Sequence, residues 1–159
     1  MAISNQAVKW YECLPPEKME TQRLIYGVPR YRRLSYGWAL YAARRWQEAK
    51  GIFEKIDKGP VDSFEWLINT GVVAARLGDR EKALQVSDWL KSIKRPFFFG
   101  RPAYNRACIA AIQGNKEEAV ALLREALSQG YQYYYVHTDM DFESIRDYPP
   151  FIELIRPKG

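Results

Sequence analysis

The chain has 159 residues, which is enough for one domain with its own hydrophobic core. Its hydrophobic fraction of 47% excludes an intrinsically disordered protein, and the sequence has neither an apolar run long enough to span a membrane nor a signal-peptide pattern at its N-terminus. The net charge is +5, and all of the excess lies in residues 1–60. These features predict a cytoplasmic protein with no membrane partner.

The N-terminal residues predict a helix. Ala7, Tyr11 and Leu14 recur at helical spacing, Ser4 is placed to cap the helix, and the prolines that begin at Pro15 end it. Residues 15–29 then predict a short extra helix and a turn. Because no partner helix precedes the first one, we expect a chain cut from a longer protein, with a divergent capping helix of a small complete protein as the alternative.

Three segments that follow share one pattern. Aligned on Ala49, Ala83 and Ala119, they are spaced by 34 and 36 residues. Three more columns lie twelve residues before, five residues before and four residues after each alanine. They hold Gly37, Gly71 and Ala107, then Arg44, Gly78 and Gly114, then Phe53, Ser87 and Leu123. A fixed period of this length predicts a repeat protein.

The columns predict helix hairpins. Small residues in the middle of two helices let the helix axes approach, and a glycine ends the first helix in the left-handed conformation. Apolar residues at helical spacing, such as Trp46, Ala49 and Phe53, give the second helix one packed face. Arg44 at a turn position and Ser87 at a large-residue position depart from the pattern and weaken single hairpins.

This pattern resembles the tetratricopeptide repeat (TPR), a family of 34-residue helix-turn-helix units. The resemblance covers about residues 30–127. It implies an all-α fold, a short right-handed α-solenoid of about three TPR-like helix hairpins with a flanking N-terminal helix and C-terminal capping helices. The expected organisation is a single domain, 1–159, made of a partial repeat with an extra helix (1–29), repeat 1 (30–60), repeat 2 (61–96), repeat 3 (97–130) and a C-terminal cap (131–159).

The resemblance also implies a concave groove that receives an amphipathic helix or an extended peptide. Trp38 and Tyr104 are the expected anchors, and Arg76 and Arg101 are expected to orient acidic groups. Coverage of the groove by other segments of the protein is the alternative, and a chaperone-type carboxylate clamp is not expected. The groove positions are Leu34, Trp38, Tyr41, Ile68, Asn69, Val72, Arg76, Arg101, Tyr104, Asn105 and Cys108.

A basic patch in the first third of the chain offers a different function. Its arginines alternate with aromatic residues, a mixture that contacts phosphates and stacks on bases, so binding of nucleic acid or another acidic partner is the runner-up prediction. Self-association through the N-terminal edge is a third. The patch consists of Arg30, Arg32, Arg33, Arg44 and Arg45.

Two aromatic clusters stand later in the chain, "RPFFFG" at residues 95–100 and "QYYYVH" at residues 132–137. Rings of this density can bind a proline-rich or hydrophobic peptide. They can also fill joints between helices, and we favour this second interpretation.

The stretch "HTDMDFESIRD" at residues 137–147 contains the only histidine of the chain and four carboxylates. A metal or acid/base site is one interpretation, but the spacing is not that of an EF-hand. We favour a helix cap in which Asp139 and Asp141 complement the start of a short helix, Phe142 and Ile145 point inward, and a further helix begins near Phe151.

No catalytic motif is present, and Cys13 and Cys108 belong to no CxxC or Cys/His cluster. The sequence therefore predicts a non-catalytic protein-protein interaction scaffold without cofactor, metal or catalytic residues. Its partner would be a protein or peptide, and we expect it to be the C-terminal module of a larger bacterial signalling or regulatory protein.

Overall fold

The computed structural model describes residues 2–15, 18, 22–25, 28–55, 63–93 and 98–156. Its helices confirm the predicted all-α class, to which one two-stranded ribbon is added. The chain divides into two compact units, Met1–Val73 and Ala74–Gly159.

The first unit begins with helix α1, Ala2–Glu12. Strands β1, Gln22–Ile25, and β2, Val28–Tyr31, follow and pair antiparallel. Helices α2, Arg32–Ala42, and α3, Trp46–Glu54, form a hairpin, and α4, Ser63–Arg76, runs past the end of the unit.

One prediction for the N-terminal segment is wrong. Ser4 does not cap α1, because the helix begins two residues earlier, at Ala2. The strands in the second half of the segment 15–29 were not predicted, and the β-branched residues Ile25 and Val28 are register partners in the ribbon. Residues 26 and 27, where the predicted turn would lie, are outside the described residues. Residues 16, 17 and 19–21, where most of the predicted extra helix would lie, are outside the described residues.

Helix α1 packs on the α2–α3 hairpin. The rings of Tyr11 and Tyr36 lie 5.5 Å apart, and Arg45 forms an ion pair of 2.9 Å with Glu12. Inside the hairpin, Gly37 is buried beneath the ring of Phe53, which occupies the space that a Cβ atom would need. The predicted role of a small residue at this position is confirmed, since any side chain there would push the helices apart.

The second unit continues with helices α5, Arg80–Ser92, α6, Arg101–Ile112, and α7, Lys116–Ser128. A single turn, α8, Tyr133–Val136, leads to a 3-10 helix, Met140–Ile145, and to α9, Pro149–Ile155. Helices α6 and α7 form a hairpin in which Ala107 and Ala119 are fully buried, as the repeat pattern predicts.

Each predicted turn position has the left-handed conformation. The φ angles are 61° at Arg44, 79° at Gly78 and 83° at Gly114. In each turn the next residue donates its backbone N–H to the carbonyl four residues before the turn residue, with N–O distances of 2.9 Å in all three. The repeated columns therefore encode the same helix-ending turn three times. Among the described residues, no helix combines the length and apolar character that crossing a bilayer requires.

Relief of backbone strain tests the turn assignment. Because a non-glycine residue in the left-handed region costs about 1 to 2 kcal/mol, and glycine adds entropy to the unfolded chain, we expect Arg44→Gly to raise the free energy of unfolding by about 0.5 to 1 kcal/mol. Gly114→Ala, at an open position that is also left-handed, should lower it by about 1 kcal/mol. Urea denaturation measures both, and a loss of stability in Arg44→Gly would contradict the expectation.

Candidate binding site

The structure buries six of the eleven predicted groove positions. These side chains are at most 5% exposed and belong to the buried core of the units in which they lie. Trp38 stays 36% exposed and contacts the rings of Tyr41 and Phe53 edge to face, while Leu34, Arg76, Arg101 and Asn105 are half-buried. Binding of a peptide beside Trp38 stays a prediction. The six buried residues are Tyr41, Ile68, Asn69, Val72, Tyr104 and Cys108.

Arg76 is engaged by the chain itself. Its Nη2 donates to Oδ1 of Asp141 at 2.8 Å and to the carbonyl oxygen of Met140 at 2.9 Å, and both side chains of the ion pair are almost fully buried. The acidic group beside Arg76 in the structure is therefore the carboxylate of Asp141, which belongs to the same unit.

The capping role predicted for the acidic stretch is confirmed at Asp139. Its carboxylate accepts hydrogen bonds from the backbone N–H of Asp141 and from the hydroxyl group of Tyr104. Phe142 and Ile145 are fully buried, as predicted, and α9 begins at Pro149. Asp141 was expected to complement the same helix start; it lies in the first turn of the 3-10 helix, and its carboxylate also pairs with Arg76, which was not predicted.

Tyr104 lies at the centre of this contact. Its ring stacks on Tyr131 with centroids 3.9 Å apart and meets Phe142 edge to face at 5.7 Å. Burial, followed by the nearby Cys108 and the carboxylate of Asp139, raises the pKa of the Tyr104 hydroxyl far above its usual range. The hydroxyl therefore stays protonated and acts as a hydrogen-bond donor that fixes the start of the 3-10 helix.

Removal of one member of the buried ion pair should be costly. Because the remaining charge loses its partner in a buried environment, we expect Asp141→Leu to lower the free energy of unfolding by about 3 kcal/mol. The double variant Arg76→Met/Asp141→Leu should recover most of this loss, since neither charge is left unpaired. Urea denaturation of the four proteins in the cycle measures the coupling, and additive effects would show that the pair contributes nothing.

One group of potential metal ligands is present in the described part of the chain. A side-chain ligand atom from each of Cys108, Asp139 and Asp141 lies within 4.8 Å of the other two. However, Asp139 already accepts two hydrogen bonds, Asp141 is paired with Arg76, and burial raises the pKa of the Cys108 thiol, so the thiolate that metals bind is disfavoured. A cation here would have to compete with the guanidinium of Arg76.

Thermal denaturation with and without Zn²⁺ tests the group. In a Cys13→Ser background, which removes the exposed thiol, we expect the melting temperature to stay unchanged when Zn²⁺ is added, because the three side chains are already engaged. A rise that disappears in Cys13→Ser/Cys108→Ala would instead establish a metal site.

The predicted basic patch is partly neutralised. Arg45 forms ion pairs with Glu12 and Glu48 at 2.9 and 2.5 Å, and its hydrogen bonds to Glu48 and then Glu12 raise the pKa of its guanidinium. Arg32 and Arg33 donate to the carbonyl oxygens of Lys18 and Lys55. Arg44 is exposed in its turn, and only the backbone of Arg30, in β2, is described. Nucleic-acid binding stays a prediction. The contacts of Arg45, Arg32 and Arg33 within the chain leave less positive charge for binding phosphates.

A cavity of about 490 Å³ lies in the second unit, between the C-terminal end of α5, the start of α6 and the end of α7. Its size is that of sites that take a small molecule or a few side chains of a peptide. Sequence reasoning singled out only its rings, as part of the cluster at residues 95–100. The cavity is lined by Leu90, Lys91, Ile93, Phe98, Phe99, Gly100, Pro102, Ala103, Arg106, Glu125 and Gln129.

Close packing of backbone shapes one wall of this cavity. Gly100 approaches the carbonyl of Ala126 so closely that a Cβ atom would collide with it, and its φ angle is 76°. Phe99 before it also has a positive φ, of 44°, which is rare for a bulky residue, and its ring is 62% exposed. The turn thus holds a large apolar ring at the cavity rim at the cost of backbone strain.

Charged groups also line the cavity. Arg106 is half-buried and donates its Nε–H to Oγ of Ser87 in a long hydrogen bond of 3.4 Å. Glu125 accepts a hydrogen bond of 3.0 Å from the amide of Gln129. Within the residues that the structure describes, neither Arg106 nor Lys91 forms an ion pair with a carboxylate.

The fold is that of a helical-repeat protein, and the cavity described above lies in its second unit. A family model described as A/B hydrolase-like, N-terminal domain matches residues 102–157, which is less than half of the chain and lies within this unit. No curated protein and no solved structure matches the chain.

The match corrects the family inferred from the repeat. The family model that matches residues 102–157 is not a TPR model, so the resemblance to the tetratricopeptide repeat is wrong. Small residues at the crossing and a left-handed turn residue are needed by any closely packed pair of antiparallel helices. The pattern therefore predicted the hairpins correctly without identifying a family.

Proposed function

We propose that this chain is a non-catalytic helical domain that binds a peptide segment of another protein in the cavity between α5, α6 and α7. The observation that carries the proposal is the exposed ring of Phe99, which a strained turn holds at the rim of a 490 Å³ cavity. Strain of this kind persists where the surrounding structure enforces it, and it concentrates at ligand sites. An aromatic residue beside a pocket is also a frequent source of binding energy.

The lining of the cavity supports a peptide as the ligand. Leu90, Phe98 and Pro102 offer apolar surface, while Arg106 and Gln129 offer donors for a peptide's polar groups. This mixture of apolar surface and a few polar groups is typical of recognition sites.

The name of the matching family raises hydrolysis as a second candidate. The match favours a relationship between residues 102–157 and the N-terminal domain of hydrolase-like proteins. Against catalysis by this unit, the buried thiol of Cys108 has a raised pKa, because of its burial and the carboxylates beside it, and is therefore a poor nucleophile. His137 lies exposed at the end of α8.

Selection from a displayed peptide library tests the proposal. We expect peptides that bind the wild type, and we expect Gln129→Trp, which fills the cavity from an exposed position, to weaken their binding by about tenfold or more. Gln132→Trp, at an exposed position that does not line the cavity, is the matched control and should bind as the wild type does. Fluorescence anisotropy measures the affinities.

A variant of Phe99, the residue with the strained backbone, tests the same proposal in a second way. Phe99→Gly should weaken peptide binding and leave stability unchanged or higher, because glycine relieves the positive φ. Arg44→Gly relieves the same strain in the first unit and should leave binding unchanged. If no peptide is selected, or if both cavity variants bind as the wild type does, the proposed function is wrong.

A further inference from the structure

The cavity contains an arginine for which the described residues provide no ion-pair partner. Arg106 has five N–H donors, and within the described part of the chain only Nε–H is used, by the neutral hydroxyl of Ser87. A half-buried guanidinium loses hydration, and a carboxylate in hydrogen-bonding distance is its strongest compensation.

Ser87 explains why the arginine can occupy this position. At the equivalent column of the other two hairpins stand Phe53 and Leu123, which are both fully buried core residues. The side chain of serine is much smaller than that of phenylalanine or leucine, so Ser87 leaves room for the aliphatic part of the Arg106 side chain. Its hydroxyl oxygen also accepts the hydrogen bond from Nε–H of Arg106. Ser87, the residue at which the second of the three aligned segments departs from the repeat pattern, therefore determines where the guanidinium of Arg106 lies in the cavity.

The remaining charges make the cavity positive. Lys91 adds a second cation at the end of α5, and Glu125 is the one carboxylate among the lining residues that the structure describes. Because Glu125 accepts a hydrogen bond from Gln129, part of its capacity to compensate the cations is already used. A ligand with a negative charge would complement the site, and one with a positive charge would be repelled.

From this geometry we infer the chemistry of the ligand: the cavity binds an acidic peptide whose carboxylate pairs with Arg106 while a neighbouring apolar side chain packs against Phe98 and Phe99. The inference rests on the proposed function and adds the class of partner to it. Ser87 acts as a positioning residue for the guanidinium, and Lys91 adds long-range attraction for the acidic segment.

Sequencing of the peptides selected on the wild-type protein gives the first test. We expect enrichment of Asp or Glu next to an apolar residue in the peptides whose binding Gln129→Trp weakens. If cavity-binding peptides show no such enrichment, this inference is wrong while the proposed function stands. If no peptide depends on the cavity, the proposed function fails, and the inference fails with it.

A thermodynamic cycle gives the second test. Replacement of the acidic peptide residue by its amide should weaken binding to the wild type by about tenfold, as expected for loss of a charge-assisted hydrogen bond. On Arg106→Met the same replacement should have little effect, whereas on Arg124→Met, an exposed arginine that does not line the cavity, the tenfold loss should remain. An equal loss on Arg106→Met and the wild type would overturn the pairing.

Two further variants separate recognition from folding. Lys91→Met, at an exposed position, should lower affinity and reduce its dependence on salt concentration without a change in the far-ultraviolet circular dichroism spectrum. Arg106→Lys keeps the charge and should recover part of the affinity lost in Arg106→Met. A salt-independent affinity for acidic peptides would contradict the electrostatic basis of the site.

Discussion

The close approach of antiparallel helices is the constraint on which the rest of this structure depends. Gly37 lies beneath the ring of Phe53 in the first unit, and Ala107 and Ala119 are fully buried in the second. Helices that pack this closely need small residues where they cross, and the loop that joins them must reverse the chain direction within about three residues. Both requirements restrict the sequence strongly, which is why the pattern repeats at a nearly constant spacing.

The C-terminal segment of the second unit provides partners for two buried polar side chains of the helices. Arg76, at the end of α4, donates a hydrogen bond to the carboxylate of Asp141. Tyr104, in α6, donates one to the carboxylate of Asp139. Because a buried charge is tolerated only with a partner, the segment and the helices that it covers stabilise one another. This face of the hairpin therefore contributes to the stability of the unit.

The proposed binding site lies instead at a joint where the repeat pattern is broken. Ser87 replaces a core residue, Phe99 adopts a left-handed conformation, and Gly100 packs directly on the backbone of α7. Each departure carries a cost in local packing or strain, and all three lie in or beside the same cavity. Sites of recognition commonly combine such departures, since a surface optimised only for stability would fill the space that a ligand needs.

The sequence by itself determined the helices, their left-handed turns at Arg44, Gly78 and Gly114, and the cap at Asp139, because each depends on residues within one or two turns of chain. Only the tertiary structure decided that Asp141 pairs with Arg76, 65 residues away, and that Arg106 lines a cavity beside Ser87. The burial of Tyr104 and Cys108 was decided there too. The reason is physical: the free energy of a buried charge or ring depends on the segments that cover it, and a local pattern does not specify them.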